Sequence, residues 1–141
     1  MSDSSADRPW PALDFERWRD TGAAVHLWRG ETGVSHIQAE KDGLWDRMAI
    51  VEGIEDGLAV ALACPELRVR CAGTLGNIAE IRLPACCGEV IVCADNDWGK
   101  PDAQRLLERG LTALARQGRR SIKVARSPVG KDVNDALRAG L

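Results

Sequence analysis

Val90-Ile91-Val92-Cys93-Ala94-Asp95-Asn96-Asp97 sets five apolar residues directly before two carboxylates. A short, wholly apolar run reads as a strand buried on both faces, the kind found inside parallel sheets. Upstream, Met48 to Val51 is another such run, followed at once by Glu52 in Val51-Glu52-Gly53-Ile54-Glu55-Asp56. Downstream, Ser121 to Arg126 reads as the last strand, with Asp132 and Asp135 soon after it in Gly130-Lys131-Asp132-Val133-Asn134-Asp135. Between them, Glu55 to Cys64 is rich in Ala and Leu and stops at Pro65. Leu67 to Ala72 alternates apolar and basic residues, and Leu75 to Leu83 has room for a short helix before Pro84. Pro101 suits the first turn of a helix running to Gly118. On it Ala103, Leu106, Leu107, Leu111 and Leu114 share one face, and Arg105, Arg109 and Arg116 another. Val133 to Ala139 reads as a final short helix. The alternation predicts an α/β domain with a mainly parallel sheet of about four strands flanked by helices.

The 141 residues suit one domain with its own core. Apolar content of 45% and charged content of 28% are ordinary for a globular chain. The longest apolar stretch, Leu58 to Cys64, is seven residues, far short of the ~18 that span a bilayer. MSDSSADRPW has neither a basic start nor an apolar core, so no signal peptide is expected. Five cysteines (Cys64, Cys71, Cys86, Cys87, Cys93) show no C-x-x-C spacing. They read as reduced, apolar-packed thiols of a cytoplasmic protein.

Residues 1–46 differ from the rest. They hold four of the five tryptophans (Trp10, Trp18, Trp28, Trp45), Phe15 and both histidines. Asp3 to Asp7 reads as a polar arm. Ala24 to Arg29 and Val34 to Gln38 flank Gly30-Glu31-Thr32-Gly33, which predicts a β-hairpin. On it His26 and His36 would be near-opposite, a pair too small to signal a metal. The tryptophans either stack on bases or bury a small lobe against the main domain. The chain therefore divides into an N-terminal extension, 1–46, and a main domain, 47–141.

Ligands of open parallel sheets bind outside the carboxyl ends of the strands. Here three strand ends carry acids: Glu52, the Asp95/Asp97 pair, and Asp132 with Asp135. Crowded carboxylates repel unless a cation sits among them. Hard oxygen donors in that number suit Mg2+ or Mn2+. From Trp98 to Lys131 nine basic residues stand against two acidic ones, a local +7 in a chain of net charge −2. That tract is either a solvated helix face or a surface that neutralises phosphates.

The order Val51-Glu52-Gly53-x-x-Asp56, Gly73-x-x-Gly76-Asn77, Asp95-Asn96-Asp97 and Gly130-Lys131-Asp132 resembles a Toprim domain. That Rossmann-like catalytic module is shared by bacterial-type primases, type IA and type II topoisomerases and some nucleases. The spelling is most similar to Toprim domains of phage and plasmid primase-helicases. The resemblance implies that Glu52 is the catalytic acid/base and that Asp95 and Asp97 hold Mg2+ or Mn2+. Glu52 would also contribute to the metal site, with Asp132 matching the acid at the last strand. Asp56 either shapes the metal site or is a first-turn acid favoured by the helix dipole. Asn134 stands where bacterial primases have a further acid. Gly53 and Gly76 would allow tight turns, and Asn77 either meets a phosphate or caps the following helix. Lys100 and Lys131 are the expected phosphate contacts; Arg105 and Arg109 either join them or are merely solvated.

The function so implied is Mg-dependent chemistry on nucleic-acid phosphodiester bonds, as primase-type nucleotidyl transfer in DNA replication of a phage, plasmid or bacterium. A small nuclease, or a non-enzymatic metal- and nucleic-acid-binding module, are the alternatives. Expected partners are single-stranded DNA or RNA and a helicase or other replication protein, with no membrane. There is no tyrosine to serve as a topoisomerase nucleophile. No Walker A motif and no zinc spacing occur either, so help from a partner is expected.

Overall fold

A computed structural model of the chain describes residues 24–95 and 100–126. In chain order these form β1 (Val25–Arg29), α1 (His36–Lys41), β2 (Asp46–Val51), α2 (Ile54–Ala63) and β3 (Arg68–Cys71). A 3-10 turn at Gly76–Glu80, β4 (Cys87–Ala94), α3 (Pro101–Ala115) and β5 (Ser121–Arg126) follow. One sheet holds all five strands in the order β1-β3-β2-β4-β5. Strands β3, β2, β4 and β5 run parallel, and β1 lies antiparallel to β3.

The apolar runs are continuous because both sheet faces are covered. On one face Met48, Ile50, Val90 and Val92 pack with Ile78 of the 3-10 turn, Ile81 just after it, and Leu107 and Leu114 of α3. On the other, Ala49, Val51, Val69 and Cys71 pack with Val60 of α2 and with Leu67. Helix α3 begins at Pro101, whose absent N–H costs nothing in a first turn, and Asp102 complements the dipole there. Its Leu107, Gly110 and Leu114 are buried, while Arg105 and Arg109 are exposed. The helix face read from spacing is therefore the one that meets the core.

The N-terminal hairpin is not formed. Val25–Arg29 is a strand, but its partner is β3, with Val25 opposite Cys71 and Arg29 opposite Arg68. It is the fifth strand of a sheet expected to have about four. The chain after the turn does not return as a strand either. Ser35 Oγ accepts a hydrogen bond from the Gln38 N–H at 3.2 Å and starts α1 instead. Gly30, at φ 75°, brings the turn so near β3 that a Cβ would lie 2.7 Å from the Arg68 nitrogen. The Glu31 N–H then donates to the Glu66 carbonyl at 3.0 Å. A two-stranded hairpin is marginal alone, whereas a strand added to a covered sheet shares its core.

The polar arm, Trp10, Phe15, Trp18, Asp97, Lys131, Asp132 and the expected last helix lie outside the described residues. Among the described residues, no helix is long and apolar enough to cross a membrane.

Candidate active site

The sheet order creates one particular crevice. From β2 the chain crosses by way of α2 to β3 on one side; from β4 it crosses by way of α3 to β5 on the other. The two connections leave neighbouring strands in opposite directions, which opens a gap at their carboxyl ends. Glu52 directly follows β2 and Asp95 directly follows β4. Register pairs Val51 with Cys93, so the two acids emerge at nearly the same level on adjacent parallel strands.

The backbone of Glu52 is held from the β3 side. Its carbonyl accepts from the Gly73 N–H at 2.8 Å and from Cys71 Sγ at 3.0 Å. Gly73 sits at φ 84°, the left-handed region where a side chain is strained, so this glycine makes the turn beside Glu52. Burial pushes the Cys71 thiol up, and the Asp56 and Glu52 carboxylates act in the same direction. Burial also pushes Cys93 up to about 11, with Cys64 and Asp56 adding to it. Asp56 stands in the first turn of α2, where an acid complements the helix dipole.

Asp95 is tied to β5. Its carbonyl accepts from Arg126 Nη1 at 2.6 Å, and Arg126 Nη2 lies 3.5 Å from Gln104 Oε1 on α3. Arg126 is thus a cation at the acidic edge that sequence reading counted in the basic tract without assigning it a role. Its signal was only its place at the end of the last strand. Lys100 directly precedes α3 and its carbonyl accepts from the Gln104 N–H.

The remaining assignments separate. Asn77 does not cap a following helix. It lies within the 3-10 turn, where its own N–H is bound by Thr74 Oγ1 at 3.2 Å, and its Nδ2 donates to the Ala72 carbonyl at 3.0 Å. Arg105 and Arg109 sit about 6 and 12 Å along α3 from Pro101, at 1.5 Å per residue. Arg105 pairs with Asp102, and Arg109 with Glu80 at 3.3 Å, both on the exposed surface. With Glu108 and Arg116 they wall a shallow cleft of about 430 Å³ outside the crevice.

A divalent cation would find carboxylate oxygens, the donors that Mg2+ takes, in Glu52 and Asp95. Among the described residues no three His, Cys, Asp or Glu side chains gather to hold an ion. The donor type fits; the Asp97 carboxylate lies outside the described residues.

Residues 47–141 match the Toprim domain family. The chain belongs to the Toprim family. A solved structure with a similar fold is the primase fragment of the bacteriophage T7 primase-helicase protein, with a TM-score of 0.59 and 18% identity. The alignment covers 86% of this Toprim chain and 46% of that fragment, so the chain spans about half its length. No curated protein matches. The five-stranded, mostly parallel sheet flanked by helices is the α/β architecture expected of a Toprim domain.

Proposed function

We propose that this Toprim chain is a divalent-metal-dependent catalytic module acting on nucleic-acid phosphodiester bonds, by primase-type nucleotidyl transfer. The observation that supports it is the placement of Glu52 and Asp95 at the ends of two neighbouring strands whose connections diverge. In that transfer a strand's 3′-hydroxyl attacks the α-phosphorus of a nucleoside triphosphate, and the bond to pyrophosphate breaks. Glu52 takes the hydroxyl proton, as a positioned carboxylate can when its backbone is held, here through its carbonyl by Cys71 and Gly73. Asp95 and Asp97, with Glu52, would hold Mg2+ or Mn2+, which when bound offsets the charge developing on the phosphoryl oxygens. Arg126, Lys100 and Lys131 orient the polyanion, and Asp56 and Asp132 complete the acidic edge. Single-stranded DNA or RNA is the substrate class, and a helicase or other replication protein the partner.

The test is incubation of end-labelled single-stranded DNA with Mg2+ or Mn2+ and all nucleotides, with Glu52→Gln beside the wild type. Extended products that vanish in the variant are expected. Shortened products that vanish would assign the same residues to hydrolysis. Absence of both in the wild type would overturn the enzymatic reading in favour of a binding module.

A further inference from the structure

A second cavity lies at the β1 edge of the sheet, its wall largely apolar but carrying arginines and histidines. Between β1, α1 and β3 runs a cleft of about 510 Å³, walled by His26, Trp28, Arg29, His36, Arg68 and Arg70. Neither Glu52 nor Asp95 lines it. Arg68 and Arg70 alternate along β3, level with Met48 and Ile50 of β2, and each is only 4% exposed.

The two arginines are served very differently. Arg68 is well served: Nε donates to Asp46 Oδ2 at 2.7 Å, and Nη2 donates to Thr32 Oγ1 at 3.1 Å and the Val34 carbonyl at 2.9 Å. Arg70 Nη2 donates to His36 Nδ1 at 2.9 Å, and its Nε is buried with no hydrogen-bond partner. Among the described residues no carboxylate forms an ion pair with Arg70. Asp46 acts on Arg70 only through space and is itself paired with Arg68, so the buried guanidinium keeps a desolvation cost that an incoming anion reduces.

The histidines report the same field. A guanidinium only donates, so His36 Nδ1 presents its lone pair and the ring proton sits on Nε2, a further donor. The His26 ring stands edge-on to it at 5.8 Å. Burial and then Arg70 hold both imidazoles below 6.5, with Arg68 contributing, although Glu40 and Asp46 act in the opposite sense on His36. Arginine and histidine N–H groups on the wall of one cleft suit an anion with several oxygens better than a single carboxylate. The cavity is larger than a phosphate. Trp28, 47% exposed with Nε1 donating to the Pro65 carbonyl at 2.7 Å, offers a fixed ring face on its wall. Such faces stack on bases.

We propose that this cleft binds the phosphate of a nucleotide or nucleic-acid strand, with Arg70 and the two histidines on the phosphate and Trp28 against the base. It stands on the cleft alone and does not require the acidic edge to be catalytic.

The chain has two histidines, so their ring NMR signals report on this cleft specifically. Inorganic phosphate, a nucleoside triphosphate and a short single-stranded oligonucleotide are each titrated into the full chain, with sodium chloride at matched ionic strength as control. Saturable shifts of both rings are expected, with their titration moved to higher pH when the anion is bound. Tighter binding of the triphosphate identifies a free nucleotide as the source, and tighter binding of the oligonucleotide a strand. Arg70→Gln is expected to abolish saturation. Trp28→Ala weakens the base-bearing probes roughly tenfold and leaves inorganic phosphate unchanged. No shift beyond the chloride control in wild type overturns the proposal, whatever the variants do. Saturation that persists in a folded Arg70→Gln chain overturns the assignment to Arg70.

Discussion

Glu52 is positioned by backbone contacts that a side-chain change leaves alone: the Gly73 N–H and the Cys71 thiol both meet its carbonyl. Glu52→Gln should therefore keep the wild-type melting temperature while turnover falls by about 100-fold or more, the usual worth of a positioned proton carrier. Asp95→Asn with Asp97→Asn should remove Mg2+ binding by calorimetry and raise the melting temperature, because repelling carboxylates are gone. Wild-type Mg2+ affinity in that variant would refute the assigned site. Away from the edge, Asp46 and Arg68 form a buried pair at 2.7 Å. Asp46→Ala strands a buried guanidinium and should cost about 3–5 kcal/mol in denaturant melts, while Asp46→Leu with Arg68→Met should recover much of it. The strand-end positions of Glu52 and Asp95 were legible because each follows an apolar run directly. Arg68 and Arg70 were not, because an apolar-basic alternation ordinarily marks a strand with one wet face, and here both arginines are buried. Arg126 was missed because its partner, the Asp95 carbonyl, is 31 residues away and carries no side-chain signal.

At the scale of elements, helix α3 shows how packing overrides propensity. Alanine normally exceeds glycine inside a helix by about 1 kcal/mol. A Cβ on Gly110, however, would sit 2.9 Å from Ile78 Cγ2 and 3.2 Å from Ile78 Cβ. Ile78 is buried and branched at that carbon, so it has no flexible end to swing aside. Gly110→Ala should therefore lower stability by about 1–2 kcal/mol, read as a lower denaturation midpoint; a higher midpoint would show that the 3-10 turn can retreat. Strands β2 and β4 and helix α3 were legible because their apolar patterns face the core; β5 and α2 were legible from composition and breakers such as Pro65, although Val124, Leu58 and Leu62 are exposed. The first strand was legible as a strand but not by its partner. Its pairing is decided by β3, and the Ser35 cap that turns the next segment into α1 outweighed the hairpin pattern.

Over the whole molecule, the pH response follows from the cleft beside β1. Both imidazoles are held below 6.5 when folded, by burial first and Arg70 second. The unfolded chain takes up those protons near 6.5, so it binds more protons than the folded chain below that pH. Stability is thus fully present above about 6.5 and is lost as pH falls through the histidine range. Thermal melts from about pH 8 to about pH 5 should show that decline, and His26→Gln with His36→Gln should flatten it. The family was legible in the order of its motifs at strand ends; the cleft was not, because it assembles residues from β1, α1 and β3 that no single stretch displays. The strand order has a further consequence during synthesis. Of the five described strands, β1 leaves the ribosome first yet lies at one end of their order, and its partner β3 is not made until Cys71 has emerged. Until then it is an unpaired edge, of the kind that draws other chains in. The β2–α2–β3 unit must collapse before β1 has anywhere to dock, so the arginine-lined wall is completed only after the first strand of the acidic edge has taken shape.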